Sequence, residues 1–487
     1  MHCPITAEDS VVVRGKRLYK RDGSVFTVRG IAFPTPPDGV SYNASSWLDI
    51  LRQLRDLDLQ FNAVRMYRMD PTEVDYSEFI EGAAQLGVYL IVPLTAASGD
   101  GVLDRTLPAP KCYTKGLFNF GASTVTKYLQ YPNVLGGVVG NEIMNDDTSW
   151  LAAPCVRGYA RNLKLFMDTL VKNGQVPRTL PLIYAAQDSS VLGGAAMDSD
   201  TIVKLTADYL TCAESGKGTI INDVAGESIM DGKQRFTDNR FGISPIDIVG
   251  VNIESWCSST QNFYHNPDGT RAAYFSLWKA LQNTSVPVIF SEMGCPHQLF
   301  DRDDHLHRTG EGTRDWAQVG HVMNAMNDTI QGFIAYTYDG AGNDFEMFGG
   351  GPWDGQHVLR PTEDFRSFKD QLAKLPNDDE LSLSNEQVGD ILPRRCSAVE
   401  ADFISCCDLR LFNDDKIQTF TSSSESVSTY TVQIMYVGLL LALFPAFYAV
   451  QKRFVSRGEF DGEEYSSTSQ NGSSSNGSTK YMSIGES

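Results

Sequence analysis

Eight short apolar runs constrain the architecture of this chain more than any other feature. They fall at Val28–Ala32, Asn62–Tyr67, Val88–Pro93, Val134–Gly140, Leu182–Gln187, Ile248–Ile253, Val286–Ser291 and Phe333–Tyr338. Most are continuous rather than alternating, the pattern of parallel strands buried on both faces. Helix-length segments separate most of them. Trp47–Leu57 places apolar residues at 47, 48, 50, 51, 54 and 57, one face of a helix, and Tyr76–Leu86 and Val156–Val171 are similar. Eight strand–helix alternations predict an α/β fold of the (β/α)8 (TIM) barrel type between about residues 25 and 375. A doubly wound open sheet is the alternative. It is disfavoured because no G-x-G-x-x-G follows the first run.

One barrel of this kind fills roughly 250 residues or more, so 487 residues need not mean three domains. The barrel domain is assigned to residues 1–375. A Cys-containing strap and a Ser/Thr-rich stalk follow at 376–430. Thr431–Val450 then reads T-V-Q-I-M-Y-V-G-L-L-L-A-L-F-P-A-F-Y-A-V without a charge, the length of one bilayer-spanning helix. Lys452, Arg453 and Arg457 come directly after it. Basic flanks stay cytoplasmic, so the first 430 residues are expected outside the plasma membrane and the polar tail at 451–487 inside. A cleaved lipid-anchor signal would end the chain, whereas 37 residues follow here. The first ten residues carry no basic segment followed by an apolar run. The targeting segment is therefore expected ahead of this start, the alternative being that the span itself targets the chain.

Charge narrows the partners. With 41 basic against 60 acidic residues the net charge is −19, which argues against a nucleic-acid partner. The nine cysteines include no C-x-x-C pair, and the seven histidines lack a matching acidic or Cys frame, so no metal site is expected. An outward-facing chain could be glycosylated at Asn43 (N-A-S), Asn283 (N-T-S) and Asn327 (N-D-T).

In such barrels the reactive side chains stand at the C-terminal ends of the strands. The fourth run ends G-N-E, placing Asn141 and Glu142 at its mouth, and the seventh ends F-S-E-M-G-C, placing Glu292 at its own. Strands four and seven face each other across a barrel of eight. Two glutamates projecting from them can approach to about 5 Å, the separation of a retaining glycosidase pair. One attacks the anomeric carbon while the other protonates the leaving oxygen and later deprotonates the acceptor. The second run ends V-R-M-Y-R, offering Arg65 and Tyr67, the sixth ends V-N-I-E-S-W-C and the eighth ends Y-T-Y-D. Arg or Tyr there can hold a carboxylate nucleophile ionised. Each is also compatible with barrel packing.

The order G-I-A-F (30–33), N-A-V-R-M-Y-R-M-D-P (62–71), N-V-L-G-G-V-V-G-N-E (133–142), G-V-N-I-E-S-W-C (250–257) and P-V-I-F-S-E-M-G-C (287–295) resembles glycoside hydrolase family 72, the β-1,3-glucanosyltransferases of fungal and oomycete-like cell walls. The resemblance implies a retaining transglycosylase that cleaves and re-joins β-1,3-glucan, with no cofactor. It makes Glu142 the acid/base and Glu292 the nucleophile. Asn141 would contact the sugar 2-hydroxyl, Tyr67 would line the donor site, and Tyr338 would be the strand-eight sugar contact. It also implies disulfides Cys257–Cys295 and Cys212–Cys396. Cys112 with Cys155 stays open, as do the partners of Cys3, Cys406 and Cys407. The family has Tyr where this chain has Glu254, and Gln where it has Pro34. A third carboxylate at Glu254 would push the Glu292 pKa up. Two other functions remain open: an endo-β-1,3-glucanase that uses water as acceptor, and a catalytically silent glucan-binding surface protein.

Overall fold

The computed structural model describes residues 4–33, 44–146, 148–188, 191–192, 195–196, 199–213, 244–253, 273–294, 314, 316–338, 345–349, 360–376, 394–397, 400 and 406. Eight parallel strands close into a barrel: β1 (Val28–Phe33), β2 (Ala63–Met66), β3 (Tyr89–Pro93), β4 (Val134–Asn141), β5 (Leu182–Gln187), β6 (Ile248–Ile253), β7 (Val288–Met293) and β8 (Ile330–Ala335). Sequential strands are neighbours throughout, and β8 pairs with β1 to close the ring. The helices alternate with them: α1 (Ala44–Asp56), α2 (Ser77–Gln85), α3 (Lys115–Tyr128), α4 (Ala153–Lys172), α5 (Ser199–Thr211), α6 (Ala273–Leu281), α7 (Gln318–Ala325) and α8 (Glu363–Ala373). The continuous apolar runs thus belong to strands with an interior face and a helix-covered face.

Those two faces build two cores. Ala32, Ala63, Ile91, Leu135, Ile183, Ile248, Ile289 and Ile334 fill the barrel interior. Leu54, Phe79, Val125, Leu163, Leu210, Leu277 and Val322 seal the outer face against the strands. An N-terminal hairpin, Val11–Arg14 with Arg17–Lys20, contributes Val11 and Leu18 to the interior core, with Phe26 just after it. Phe26 stacks edge-on with Tyr89, at the start of β3, at 4.8 Å, so this hairpin closes the N-terminal end of the barrel. The opposite end stays polar.

Two strands sit differently from the sequence expectation. β7 begins and ends two residues later than Val286–Ser291, which puts Glu292 inside the strand. β8 lies three residues before Phe333–Tyr338. It pairs with β1 at a close approach: Gly332 has φ 124° beside Val28, and a Cβ there would lie 2.0 Å from the Val28 carbonyl oxygen. Only glycine fits that crossing.

Among the described residues, the disulfides Cys112–Cys155 and Cys212–Cys396 fasten the loops. The second is one of the two pairs implied by the resemblance, and the first fills the pairing left open. Beside it the Ala213 N–H donates to the Arg394 carbonyl at 2.7 Å and the Cys396 N–H donates to the Ala213 carbonyl at 3.0 Å, so the strap returns to the end of α5. Cys406 is also disulfide-bonded and packs against the outer core. Among the described residues no helix is long and apolar enough to cross a membrane. The stretch 431–450 lies outside the described residues, as do Cys3, Asn43, Glu254, Cys257, Cys295 and Cys407.

Candidate active site

The polar end of the barrel is organised by Arg65, a β2 residue only 1% exposed. Its Nη1 donates to Glu292 Oε1 at 2.9 Å, to the Ser291 carbonyl at 2.8 Å and to Asn252 Oδ1 at 3.2 Å. Its Nη2 donates to Asn141 Oδ1 at 2.6 Å. One guanidinium therefore ties β2 to β4, β6 and β7. A planar fork with several donors suits such a junction, which a lysine could not span in the same way. Tyr67, just past β2, lies under the same cation, with the guanidinium carbon 4.6 Å from its ring centre, and donates its hydroxyl to Glu292 Oε1 at 2.8 Å.

Asn252 on β6 is the second junction. Its Nδ2 donates to Glu142 Oε1 at 2.7 Å and to Asn141 Oδ1 at 3.1 Å, while its Oδ1 accepts from Ser291 Oγ at 2.8 Å. The two glutamates expected from the strand ends thus share one hydrogen-bonded network through Arg65 and Asn252. Their surroundings differ. Glu292 is buried on its strand, whereas Glu142 is half-exposed beyond the end of β4. Burial pushes the Glu292 pKa up most, Arg65 pulls it down and Glu142 pushes it up, leaving it at about 7. Burial likewise holds the Tyr67 phenol well above its usual range, so it stays a donor.

Glu142 leaves the strand with φ 49°, a left-handed conformation that a non-glycine residue adopts at a cost of about 1–3 kcal/mol. Both ends of its peptide unit are held. Its N–H donates to the Ala185 carbonyl on β5 at 2.8 Å, and its carbonyl accepts from Arg105 Nη1 at 3.1 Å. Next to it, Met144 N–H donates to the Tyr184 hydroxyl at 3.1 Å.

Asn141, Arg65 and Tyr67 therefore stand with the two glutamates. Tyr338 does not. With β8 ending at Ala335, the chain crosses over β1, where the Tyr338 N–H reaches the Ala32 carbonyl at 3.3 Å and its ring packs on Phe33 at 4.6 Å. Tyr338 is 2% exposed, so burial in the core replaces the sugar contact expected for it. Tyr336 occupies the mouth instead, half-exposed and edge-on to Tyr67 at 6.1 Å. Asn252 and Ser291 were missed as site residues. Their signal is a polar side chain inside an otherwise apolar strand, which must find partners there. Among the described residues, no group of three His, Cys, Asp or Glu side chains is placed to hold a metal ion.

A buried carboxylate with two donors, facing a second, more exposed carboxylate at the mouth of a barrel, is equipped for displacement at an acetal carbon with acid/base assistance. A sequence model described as Glucanosyltransferase matches residues 4–376. The chain belongs to the glucanosyltransferase family. Among its relatives, the "Probable 1,3-beta-glucanosyltransferase GAS3" of Saccharomyces cerevisiae is 24% identical over 382 residues, covering 75% of this chain and 62% of the relative. The "1,3-beta-glucanosyltransferase GAS5" of the same organism is 24% identical over 374 residues, covering 76% and 63%. This glucanosyltransferase-family chain thus spans about three fifths of the length of those relatives. The apo structure of Saccharomyces cerevisiae Gas2p superposes with a TM-score of 0.59 at 20% identity, covering 83% of this chain and 74% of that one. Gas2p in complex with laminaritetraose and laminaripentaose gives a TM-score of 0.55 at 20% identity, covering 83% and 73%. At that identity the likeness establishes the shared fold.

Proposed function

We propose that this protein is a membrane-tethered, retaining 1,3-β-glucanosyltransferase that cleaves β-1,3-glucan internally and joins the new end to a second chain. The observation that carries the reading is the single network linking Glu142 to Glu292 through Asn252 and Arg65, in a chain of the glucanosyltransferase family. The names of GAS3 and GAS5, and the laminari-oligosaccharides bound to Gas2p, support β-1,3-glucan as the substrate.

In this reading Glu292 attacks the anomeric carbon as the glycosidic C–O bond breaks, and Glu142 gives its proton to the departing oxygen. A glycosyl–Glu292 ester remains. An acceptor hydroxyl, deprotonated by Glu142, then attacks the same carbon and releases the Glu292 carboxylate, so two inversions restore the β configuration. Arg65 and Tyr67 steady the carboxylate through its cycle of charge. Asn141 spends its Oδ1 on Arg65 and Asn252, which leaves its amide nitrogen to meet the sugar 2-hydroxyl. Glu254, where the family has Tyr, tunes acceptor choice, and Tyr336 takes the role of sugar contact expected of Tyr338. Water in place of the acceptor would make the same machinery an endo-glucanase.

The tether is the uncharged stretch Thr431–Val450 with its basic flank, holding the catalytic domain outside the plasma membrane against the wall. Glycans at Asn43, Asn283 and Asn327 suit that placement, and Asn283 is exposed in the turn after α6. Incubation of the full-length protein with reduced laminari-oligosaccharides tests the activity. Products longer than the substrate indicate transfer, and shorter products alone indicate hydrolysis. Binding without any change of chain length would leave only a glucan-binding surface protein.

A further inference from the structure

The β3–α3 loop ends in a contact that the reaction scheme above does not use. Arg105 reaches from it to the carbonyl oxygen of Glu142, with Nη1 at 3.1 Å. That carbonyl belongs to the residue whose φ of 49° carries the chain out of β4 in a left-handed turn. Released, a glutamate backbone returns to the extended or right-handed region. The Glu142 side chain would then swing away from Asn252 Nδ2, which it meets at 2.7 Å in the held conformation. The N–H side of Glu142 is fixed by β5 through Ala185. The carbonyl side depends on Arg105.

The loop is built to hold a side chain still. Asp104 accepts from the N–H and hydroxyl of Thr106 at 2.9 and 2.6 Å, turning the chain tightly beside Arg105. Ala96 N–H donates to the Gly101 carbonyl at 2.9 Å, and Ala109 N–H donates to the Leu151 carbonyl at 2.9 Å. The Cys112–Cys155 disulfide bolts the far end of the loop to α4. Arg105 is half-buried between these anchors. A charged donor to a carbonyl is among the stronger hydrogen bonds available to such a clamp.

We propose that Arg105 is a positioning residue for the acid/base: it holds the left-handed Glu142 peptide and so aims the Glu142 carboxyl at the glycosidic and acceptor oxygens. The inference rests on the glucanosyltransferase reading of the site. It separates two kinds of step, those that need a proton moved by Glu142 and those that do not.

The test compares wild type with Arg105→Ala and Arg105→Lys in the full-length protein, on laminari-oligosaccharides and on β-laminaribiosyl fluoride with and without azide. Fluoride leaves without needing a proton. Azide attacks the anomeric carbon of the glycosyl–Glu292 ester, forming a glycosyl azide and freeing the carboxylate without a base. Arg105→Ala is expected to lose between about 10- and 100-fold in kcat on the oligosaccharide, the cost of a misaimed group, with KM little changed. With the fluoride and azide together it should run within about threefold of wild type, since both proton transfers are bypassed. Arg105→Lys, which retains one donor, should recover part of the oligosaccharide rate. An equal loss on all substrates, or no loss on the oligosaccharide, overturns the role of Arg105. A wild type that processes neither the oligosaccharide nor the fluoride overturns the functional reading itself, and the positioning role with it.

Discussion

Glu292 sits where burial and two hydrogen-bond donors pull its proton in opposite directions. Burial wins by enough to place its pKa at about 7. In the proposed reaction Glu292 attacks as the carboxylate, so kcat/KM should rise with pH through that region. Tyr67 donates to Oε1 and favours the charged form. Its loss in Tyr67→Phe should raise the Glu292 pKa further and move the acidic limb of the kcat/KM profile to higher pH. A hydrogen bond to a charged group is worth about 1.5 kcal/mol, which corresponds to a shift of about one unit. A limb that stayed in place would show that Tyr67 does not set this charge. Asn252 makes a second residue-level prediction. Asn252→Ala strips a partner from Arg65, Ser291 and Glu142 together. Unsatisfied buried groups cost about 1–3 kcal/mol each. Urea unfolding should therefore show a clear loss of stability beside a loss of turnover, whereas activity alone would fall if Asn252 only touched substrate.

At the scale of elements, the barrel was legible because burial on both faces writes continuous apolar runs. β5 and β6 match the sequence reading from end to end, and α4 extends it by only a few residues. The last two strands were less legible. A run such as Phe333–Tyr338 carries no mark of where pairing starts or stops, and the register shows only in the tertiary pairing of Gly332 with Val28. That shift buries Tyr338 and leaves Tyr336 at the mouth of the barrel. Glu142 and Glu292 were legible because a carboxylate at the end of an apolar strand is conspicuous. Asn252 was not, because an amide within I-V-G-V-N-I reads as strand until its partners on β2, β4 and β7 are known. The glycine itself is testable. Gly332→Ala would drive a Cβ into the Val28 carbonyl at a φ of 124°, where side chains are strained. A loss of at least about 3 kcal/mol is expected in denaturant unfolding, and a variant within 1 kcal/mol of wild type would contradict this account of the β8–β1 seam.

At the scale of the molecule, covalent and ionic ties fasten the segments that surround the strands. The disulfides close loops with sequence separations of 43 and 184 residues. In the chain-entropy view they stabilise by about 4 and about 5 kcal/mol, upper values that native strain reduces. Replacing Cys212 and Cys396 by serine should therefore lower the melting temperature more than replacing Cys112 and Cys155. The opposite order would place the stabilisation in local contacts. Arg314 and Asp364, 0% and 2% exposed, form a buried ion pair at 2.6 Å that joins the segment before α7 to α8. The Arg314 backbone N–H and Nε donate to the same carboxylate, and Trp316 Nε1 adds a fourth donor at 3.0 Å. Asp364→Ala leaves the guanidinium without that counter-charge, and a loss of about 3–5 kcal/mol is expected. All of this serves one chemical claim, that sugar passes through an ester on Glu292. Peptide mapping by mass spectrometry after incubation with 2-deoxy-2-fluoro-β-laminaribiosyl fluoride reads that claim directly. The account predicts one fluoroglycosyl group on the peptide that carries Glu292. A label on Glu142 or Glu254, or an unmodified protein that still turns over glucan, would contradict it.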